Sequence, residues 1–160
     1  MASKGGDRIM ELKNRSQYLD KLISVQDMEV IKVVTGIRRC GKSSLLKLMM
    51  VHLREQGVME EQILSMNFES MQFADMDSKR LYQYVIERTP KGKRLYLFLD
   101  EVQKVRDWQD AVNSFRVDLD CDIYVTGSNA YLLSSELSTY LSGRYVDCLL
   151  YTSPSPRDKR

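Results

Sequence analysis

The chain has 160 residues, 43% apolar and 29% charged, with a formal charge of +2. That is one domain's worth of sequence, with enough apolar material to bury a layered core. No apolar run approaches the roughly 20 residues that a membrane-spanning helix needs, and the first seven residues lack the apolar centre of a secretory signal, so the expectation is a cytoplasmic chain with no membrane partner.

In chain order, Ile9, Leu12, Leu19 and Ile23, with Tyr18 and Leu22 beside them, recur at near-helical spacing. They predict an amphipathic helix over 8–24, which makes 1–24 an N-terminal arm leading into a core domain over 25–147. The first strand, over 30–34, is nearly continuously apolar, as a central parallel strand is. Then come Gly36, Ile37, Arg38, Arg39, Cys40, Gly41, Lys42, Ser43 and Ser44, in the pattern G-x-x-x-x-G-K-S.

That pattern has a mechanical meaning. A strand turning sharply into a helix aims successive backbone N–H groups, and the positive end of the helix, at one point where a polyphosphate fits. Gly36 and Gly41 permit torsions that a Cβ resists, Lys42 reaches the β- and γ-phosphates, and Ser43 ligates Mg²⁺. The plain structural alternative is a Gly-rich turn capping an ordinary helix.

The helix after the loop carries Leu45, Leu46, Leu48, Met49, Met50 and Leu53 and is expected to end near Gly57. His52, the single histidine, reads as a half-buried or solvated helix residue. A second strand over 63–69 alternates Leu64, Met66 and Phe68 onto one face. Asp77 or Ser78 then caps a helix with Leu81, Tyr82, Val85 and Ile86 inward, and Pro90 stops it. Strand and helix alternate, which predicts right-handed crossovers, a parallel sheet and ligands at the carboxyl ends of its strands.

The third strand, Leu95, Tyr96, Leu97, Phe98 and Leu99, ends in two acids, Asp100 and Glu101. At the carboxyl edge of a sheet, Asp100 can hold a metal through its water shell while Glu101 polarises an attacking water. An acidic turn is the alternative. Asp107 is expected to cap the next helix, with Trp108, Val112 and Phe115 facing the sheet. A fourth strand over 122–126 stops at Gly127, Ser128 and Asn129. Ser128 and Asn129 can contact a γ-phosphate or the attacking water, and Ser128 can equally be the N-cap of a helix carrying Leu132, Leu133, Leu137 and Leu141. Arg144 reads either as a solvated cation at a helix end or as a finger reaching a neighbouring subunit's nucleotide.

Residues 148–158, Cys-Leu-Leu-Tyr-Thr-Ser-Pro-Ser-Pro-Arg-Asp, match in register the translation of a transposase-type sequencing adaptor, so 148–160 is read as a non-native tail. Without its three basic residues and one acid the balance is 21 basic to 21 acidic. Charge therefore does not indicate a nucleic-acid partner. Cys40, Cys121 and Cys148, an odd number without metal-ligand spacing, read as reduced thiols.

Together, the 35–44 loop, Asn67-Phe68-Glu69, Leu99-Asp100-Glu101-Val102-Gln103, Trp108, Val125 to Asn129 and Ser142-Gly143-Arg144 resemble a family of prokaryotic AAA+-like P-loop ATPases over roughly residues 15–147. The resemblance implies a three-layer α/β P-loop NTPase fold whose parallel sheet has the order 5-1-4-3-2, its fifth strand truncated here. It places Lys42 and Ser43 in the Walker A motif, Asp100 and Glu101 in Walker B, and Ser128 or Asn129 at the sensor position. It implies ATP and Mg²⁺ as cofactors, self-association through the nucleotide face if Arg144 acts as a finger, and a lid and C-terminal domain beyond this chain. The expected activity is hydrolysis of Mg-ATP, weak in this truncated form, driving conformational change in the absent domains. A nucleotide-gated switch with negligible turnover is the rival; a small-molecule kinase would need an acceptor pocket that the sequence does not display.

Overall fold

The computed structural model describes residues 16–36 and 41–127, and the backbone of 145–150. Helix α1 covers 16–24. It is followed by β1 (Ile31–Gly36), α2 (Lys42–Glu55), β2 (Ile63–Asn67), α3 (Ser78–Arg88), β3 (Leu95–Asp100), α4 (Trp108–Asp118), β4 (Cys121–Thr126) and β5 (Tyr145–Leu150). Among the described residues no helix is long and apolar enough to cross a membrane.

Local chemistry sets these limits. The Asp77 carboxylate accepts the Arg80 N–H at 2.9 Å and so caps α3, which stops two residues before Pro90, whose ring opposes helical torsions in the residue it follows. After α2 the chain turns through Gly57 at φ 94°, a left-handed conformation that a Cβ disfavours. Asp107 departs from expectation. It occupies the N-cap position of α4 but adopts φ 56° and its side chain makes no capping bond. In that left-handed turn its backbone carbonyl takes the Asp110 N–H instead.

All strand pairs are parallel, in the order β2-β3-β4-β1-β5. This is the expected 5-1-4-3-2 arrangement. Its fifth position is not truncated: Tyr145 to Leu150 pair along the whole of β1, so Cys148, Leu149 and Leu150, read from sequence as adaptor, lie opposite Val34, Thr35 and Gly36. Ladder bonds are made by the backbone, and an extended apolar run satisfies the open edge of β1 whatever its origin.

Strand alternation divides the core into two layers around the sheet. One face, with Ile31, Val33, Leu95, Leu97, Leu99, Ile123 and Val125, packs against Leu81 and Val85 of α3 and Trp108, Val112 and Phe115 of α4. The other, with Val34, Tyr96, Phe98 and Tyr124, packs against Leu22 of α1 and Leu45, Leu46, Met49 and Leu53 of α2. Tyr82 stacks on Phe115 at a centroid distance of 5.7 Å, tying α3 to α4.

The second face also holds a charge that the apolar reading of β1 passed over. Lys32 is fully buried and forms an ion pair with Asp122, also buried, at the amino end of β4. The Lys32 ammonium donates to the Met28 carbonyl at 2.7 Å, while Asp122 Oδ2 accepts from the Asp27 N–H at 3.0 Å and the Tyr124 hydroxyl at 2.7 Å. Such a pair is tolerated in the core because all its polar atoms find partners. Lys32→Met should therefore cost about 3–5 kcal/mol by stranding the Asp122 charge, and Lys32→Met/Asp122→Asn should recover part of that loss, since an amide oxygen still accepts both donors. Urea melts of the two variants check this.

The same cluster predicts a pH response. Burial first, then the charge and hydrogen bond of Asp122, push the Tyr124 phenol well above its ordinary range. Burial and the bond to Asp27 raise Tyr96 likewise. The folded state thus holds these protons more tightly than the unfolded chain, so their contribution is complete below the unfolded phenol value of about 10 and is lost as pH climbs beyond it. Denaturant melts should show stability falling above about pH 10, with a shallower fall in Tyr124→Phe.

Candidate functional site

Because β1, β4 and β3 are neighbours, their carboxyl ends open onto one edge of the sheet. There β1 stops at Gly36, and α2 starts at Lys42 directly after Gly41, which takes φ 79° and ψ 36°. Its first turn carries no acidic residue of its own, so the partial positive charge of the helix terminus faces the sheet edge. Ile37, Arg38, Arg39 and Cys40 lie outside the described residues, as do Ser128, Asn129, Arg144 and the leucines expected after them.

Lys42 is only 5% exposed. A buried ammonium needs compensation, and its Nζ donates to the Gly127 carbonyl at 2.7 Å and stands 3.7 Å from Glu101 Oε1. The next residue turns the other way along the edge: the Ser43 hydroxyl donates to Asp100 Oδ2 at 2.5 Å. Asp100 is buried, and its second oxygen, Oδ1, accepts from the Thr126 hydroxyl. Ser44 sits half-buried behind them in the first turn.

The adjacent acids reach the same place by a break in the backbone. In a continuing strand, residues 100 and 101 would point to opposite faces. Glu101 instead adopts φ 59° and ψ 49°, the left-handed region. Among the described residues the other non-glycine positions with positive φ are Asp27, Asp75 and Asp107, a residue type that visits this region more readily. At Glu101 the conformation costs about 1–2 kcal/mol, and it swings the carboxylate back toward Lys42. Its N–H donates to Thr126 Oγ1 at 3.0 Å, and its Oε2 accepts from Gln103 Nε2 at 2.6 Å.

The structure thus brings Gly36, Gly41, Lys42, Ser43, Asp100 and Glu101 to one edge. Sequence reasoning did not single out Thr126, Gln103 or the Gly127 carbonyl. A threonine closing an apolar strand beside a glycine is the signal that could have found the first. Two carboxylates against one ammonium leave the described part of the site with an excess negative charge that a divalent cation would offset. Among the described residues no three His, Cys, Asp or Glu side chains are grouped for a metal. A hard cation shared between one hydroxyl, one carboxylate and phosphate oxygens needs no such group.

A walled cavity lies elsewhere, at the amino end of the sheet, with about 130 Å³ between Met28, Ile31, Arg94, Arg116, Asp120 and Cys121. Within it Arg94 pairs with Asp120 at 2.5 Å, and Arg94 also reaches Asp27 at 3.0 Å. Burial pushes the Cys121 thiol up to about 11, which keeps it protonated and unreactive near neutrality.

The comparisons agree with this architecture. By shape the chain is similar to a DNA polymerase III gamma subunit-related protein of Thermotoga maritima, with a TM-score of 0.57 and 10% identity, covering 88% of this chain and 47% of that one. It is also similar to a chain in the structure of Drosophila ORC bound to GC-rich DNA and Cdc6, with a TM-score of 0.60 and 12% identity, covering 98% of this chain and 62% of that one. In sequence it is 44% identical over 140 residues to an uncharacterised protein of Haemophilus influenzae, covering 86% of this chain and 35% of that protein. It spans about a third of the length of the curated relatives it matches. The family model for the AAA domain matches residues 29–154. A parallel sheet in this order, a lysine-headed helix against its edge and a family match over most of the chain have one reading: this chain belongs to the AAA domain family of P-loop ATPases, as a nucleotide-binding, ATPase-like domain.

Proposed function

We propose that this chain binds ATP with Mg²⁺ at the carboxyl edge of its sheet and hydrolyses it, driving conformational change in domains beyond the chain. The observation that carries the reading is the Ser43 to Asp100 hydrogen bond, which puts the first turn of α2 against the end of β3. Phosphate groups would meet the helix terminus, the backbone from Gly36 to Ser44 and the Lys42 ammonium. Ser43 Oγ and Asp100 Oδ2 would hold the ion, Asp100 directly or through a water. When bound, Mg²⁺ draws charge from the β- and γ-phosphate oxygens.

Glu101 would accept a proton from an attacking water, and the turn of its carboxylate toward the side of Lys42 supports that role. Ser128 or Asn129, following directly on the strand end that touches Lys42, Asp100 and Glu101, would orient that water. Arg144 would serve a neighbouring copy's nucleotide if the chain assembles through this face.

One observation favours the rival reading of a nucleotide-gated switch with negligible turnover. Both oxygens of Glu101 are engaged, one by Gln103 and one facing Lys42, which leaves a base less free to act. Substitution separates the two. Lys42→Ala should weaken ATP binding at least about 10-fold in calorimetric titration, because the buried ammonium is the fixed charge facing the phosphates. Glu101→Gln should keep ATP bound within about 3-fold while phosphate release falls about 10²–10⁴-fold. Equal, near-background release by wild type and Glu101→Gln, with tight binding by both, would establish the switch instead.

A further inference from the structure

The nucleotide edge contains one hydroxyl that serves both acids at once. Thr126, fully buried at the end of β4, donates through Oγ1 to Asp100 Oδ1 and accepts the backbone N–H of Glu101 at 3.0 Å. Its neighbour Gly127 accepts the Lys42 ammonium at 2.7 Å. The end of β4 therefore touches the Asp100 carboxylate, the Lys42 ammonium and the backbone of Glu101.

Two consequences follow from bond directions. A carboxylate whose oxygens are engaged by two different hydroxyls, Ser43 on Oδ2 and Thr126 on Oδ1, cannot rotate about its Cβ–Cγ bond without losing one of them. Asp100 is therefore fixed with Oδ2 toward Ser43, the oxygen that a cation would share with that serine. A residue in the left-handed region persists only if its surroundings hold it there, and the hydroxyl that takes the Glu101 N–H is a fixed anchor at that point. Gln103, from the following turn, holds the far end of the same side chain.

We propose that Thr126 is a positioning residue for the metal-binding and water-activating acids, setting the orientation of Asp100 and the backbone conformation of Glu101 through a single hydroxyl. This rests on the Mg-ATP reading of the site. The neighbouring methyl group of threonine fills core space, so valine keeps the shape and removes only the bonding atom. Loss of a group that orients a metal ligand typically costs about 10–100-fold in metal affinity or activity.

The test compares wild type, Thr126→Val, Thr126→Ala and Thr126→Ser by binding of a fluorescent ATP analogue, once in EDTA and once across a Mg²⁺ titration, together with phosphate release and thermal melting. Thr126→Val and Thr126→Ala should bind the analogue in EDTA as wild type does, need about 10–100-fold more Mg²⁺ to reach their tighter state, and release phosphate slower by a similar factor. Thr126→Ser should restore most of both losses, since the hydroxyl returns without the methyl. A merely structural threonine would lower the melting temperature and weaken binding equally with and without Mg²⁺, and that result overturns the proposal. Wild-type Mg²⁺ dependence in Thr126→Val, with Lys42-dependent ATP binding intact, overturns it while leaving the ATPase reading standing. Absence of Lys42-dependent binding in wild type overturns both. Failure of both hydroxyl-free variants to fold also counts against it, because a group needed only to aim two acids is not required for the core to form.

Discussion

The Asp100 carboxylate is where three separate elements of the fold meet. It ends β3, it accepts from Ser43 in the first turn of α2, and it accepts from Thr126 at the end of β4. A buried carboxylate without such donors would cost several kcal/mol, roughly, so the position of α2 against the sheet is set by polar satisfaction as well as by its apolar stripe. That one acid thus fixes the distance between the lysine-headed helix and the acidic strand end. Everything proposed for the nucleotide depends on that distance.

The sheet carries ionised groups at both ends, and their surroundings differ in kind. At the amino end, Lys32 and Asp122 are wholly buried, every oxygen of Asp122 has a donor, and two tyrosines seal the cluster with raised phenol values. At the carboxyl end, Ser43 is exposed, Glu101 is 17% exposed, and the backbone at Glu101 sits in a conformation that its residue type disfavours. A pair buried with every oxygen satisfied suits the holding of strands in register. Strained and reachable describes groups kept ready for something from solution. The two lysines thus sit in unlike surroundings: the carboxylate beside Lys32 is fully buried, and the one beside Lys42 is partly exposed.

Much of this was legible in the residues. Four apolar runs, each ending in a polar or glycine signal, mark β1 to β4, and Leu45, Leu46, Met49, Met50 and Leu53 of α2, Leu81 and Val85 of α3, and Trp108, Val112 and Phe115 of α4 are buried as expected, whereas Leu48 of α2 faces outward. The turn at Gly41 and the acids at Asp100 and Glu101 could be placed at one edge because parallel strands in α/β sheets expose their carboxyl ends together. What escaped was whatever depends on partners far away in sequence. Lys32 looks like an interruption in an apolar strand until Asp122, 90 residues on, arrives beside it. Thr126 is an ordinary strand residue by propensity, and only the pairing of β3 with β4 sets it against Asp100. Asp107 has the right identity for a cap, but the left-handed turn preceding α4 leaves its side chain without a capping bond. The fifth strand was underread for a different reason: residues read as translated adaptor carried no expectation of folding, yet an open backbone ladder pairs with any extended run.

The left-handed turn at Glu101 explains why two adjacent acids can share one task. Strand geometry sends neighbouring side chains to opposite faces, so a pair of acids ending a regular strand would place one against α2 and the other against α3 and α4. Reversing the backbone at the second acid collects both on the α2 side, at an energetic cost that glycine would avoid but glycine has no carboxylate to offer. The cost is offset by bonds available only in that conformation: the N–H to Thr126, the carboxylate to Gln103 and the approach to Lys42. The strained residue is thus anchored by the neighbouring strand, β4. A change at the end of β4 would reach Asp100 through its carboxylate and Glu101 through its backbone.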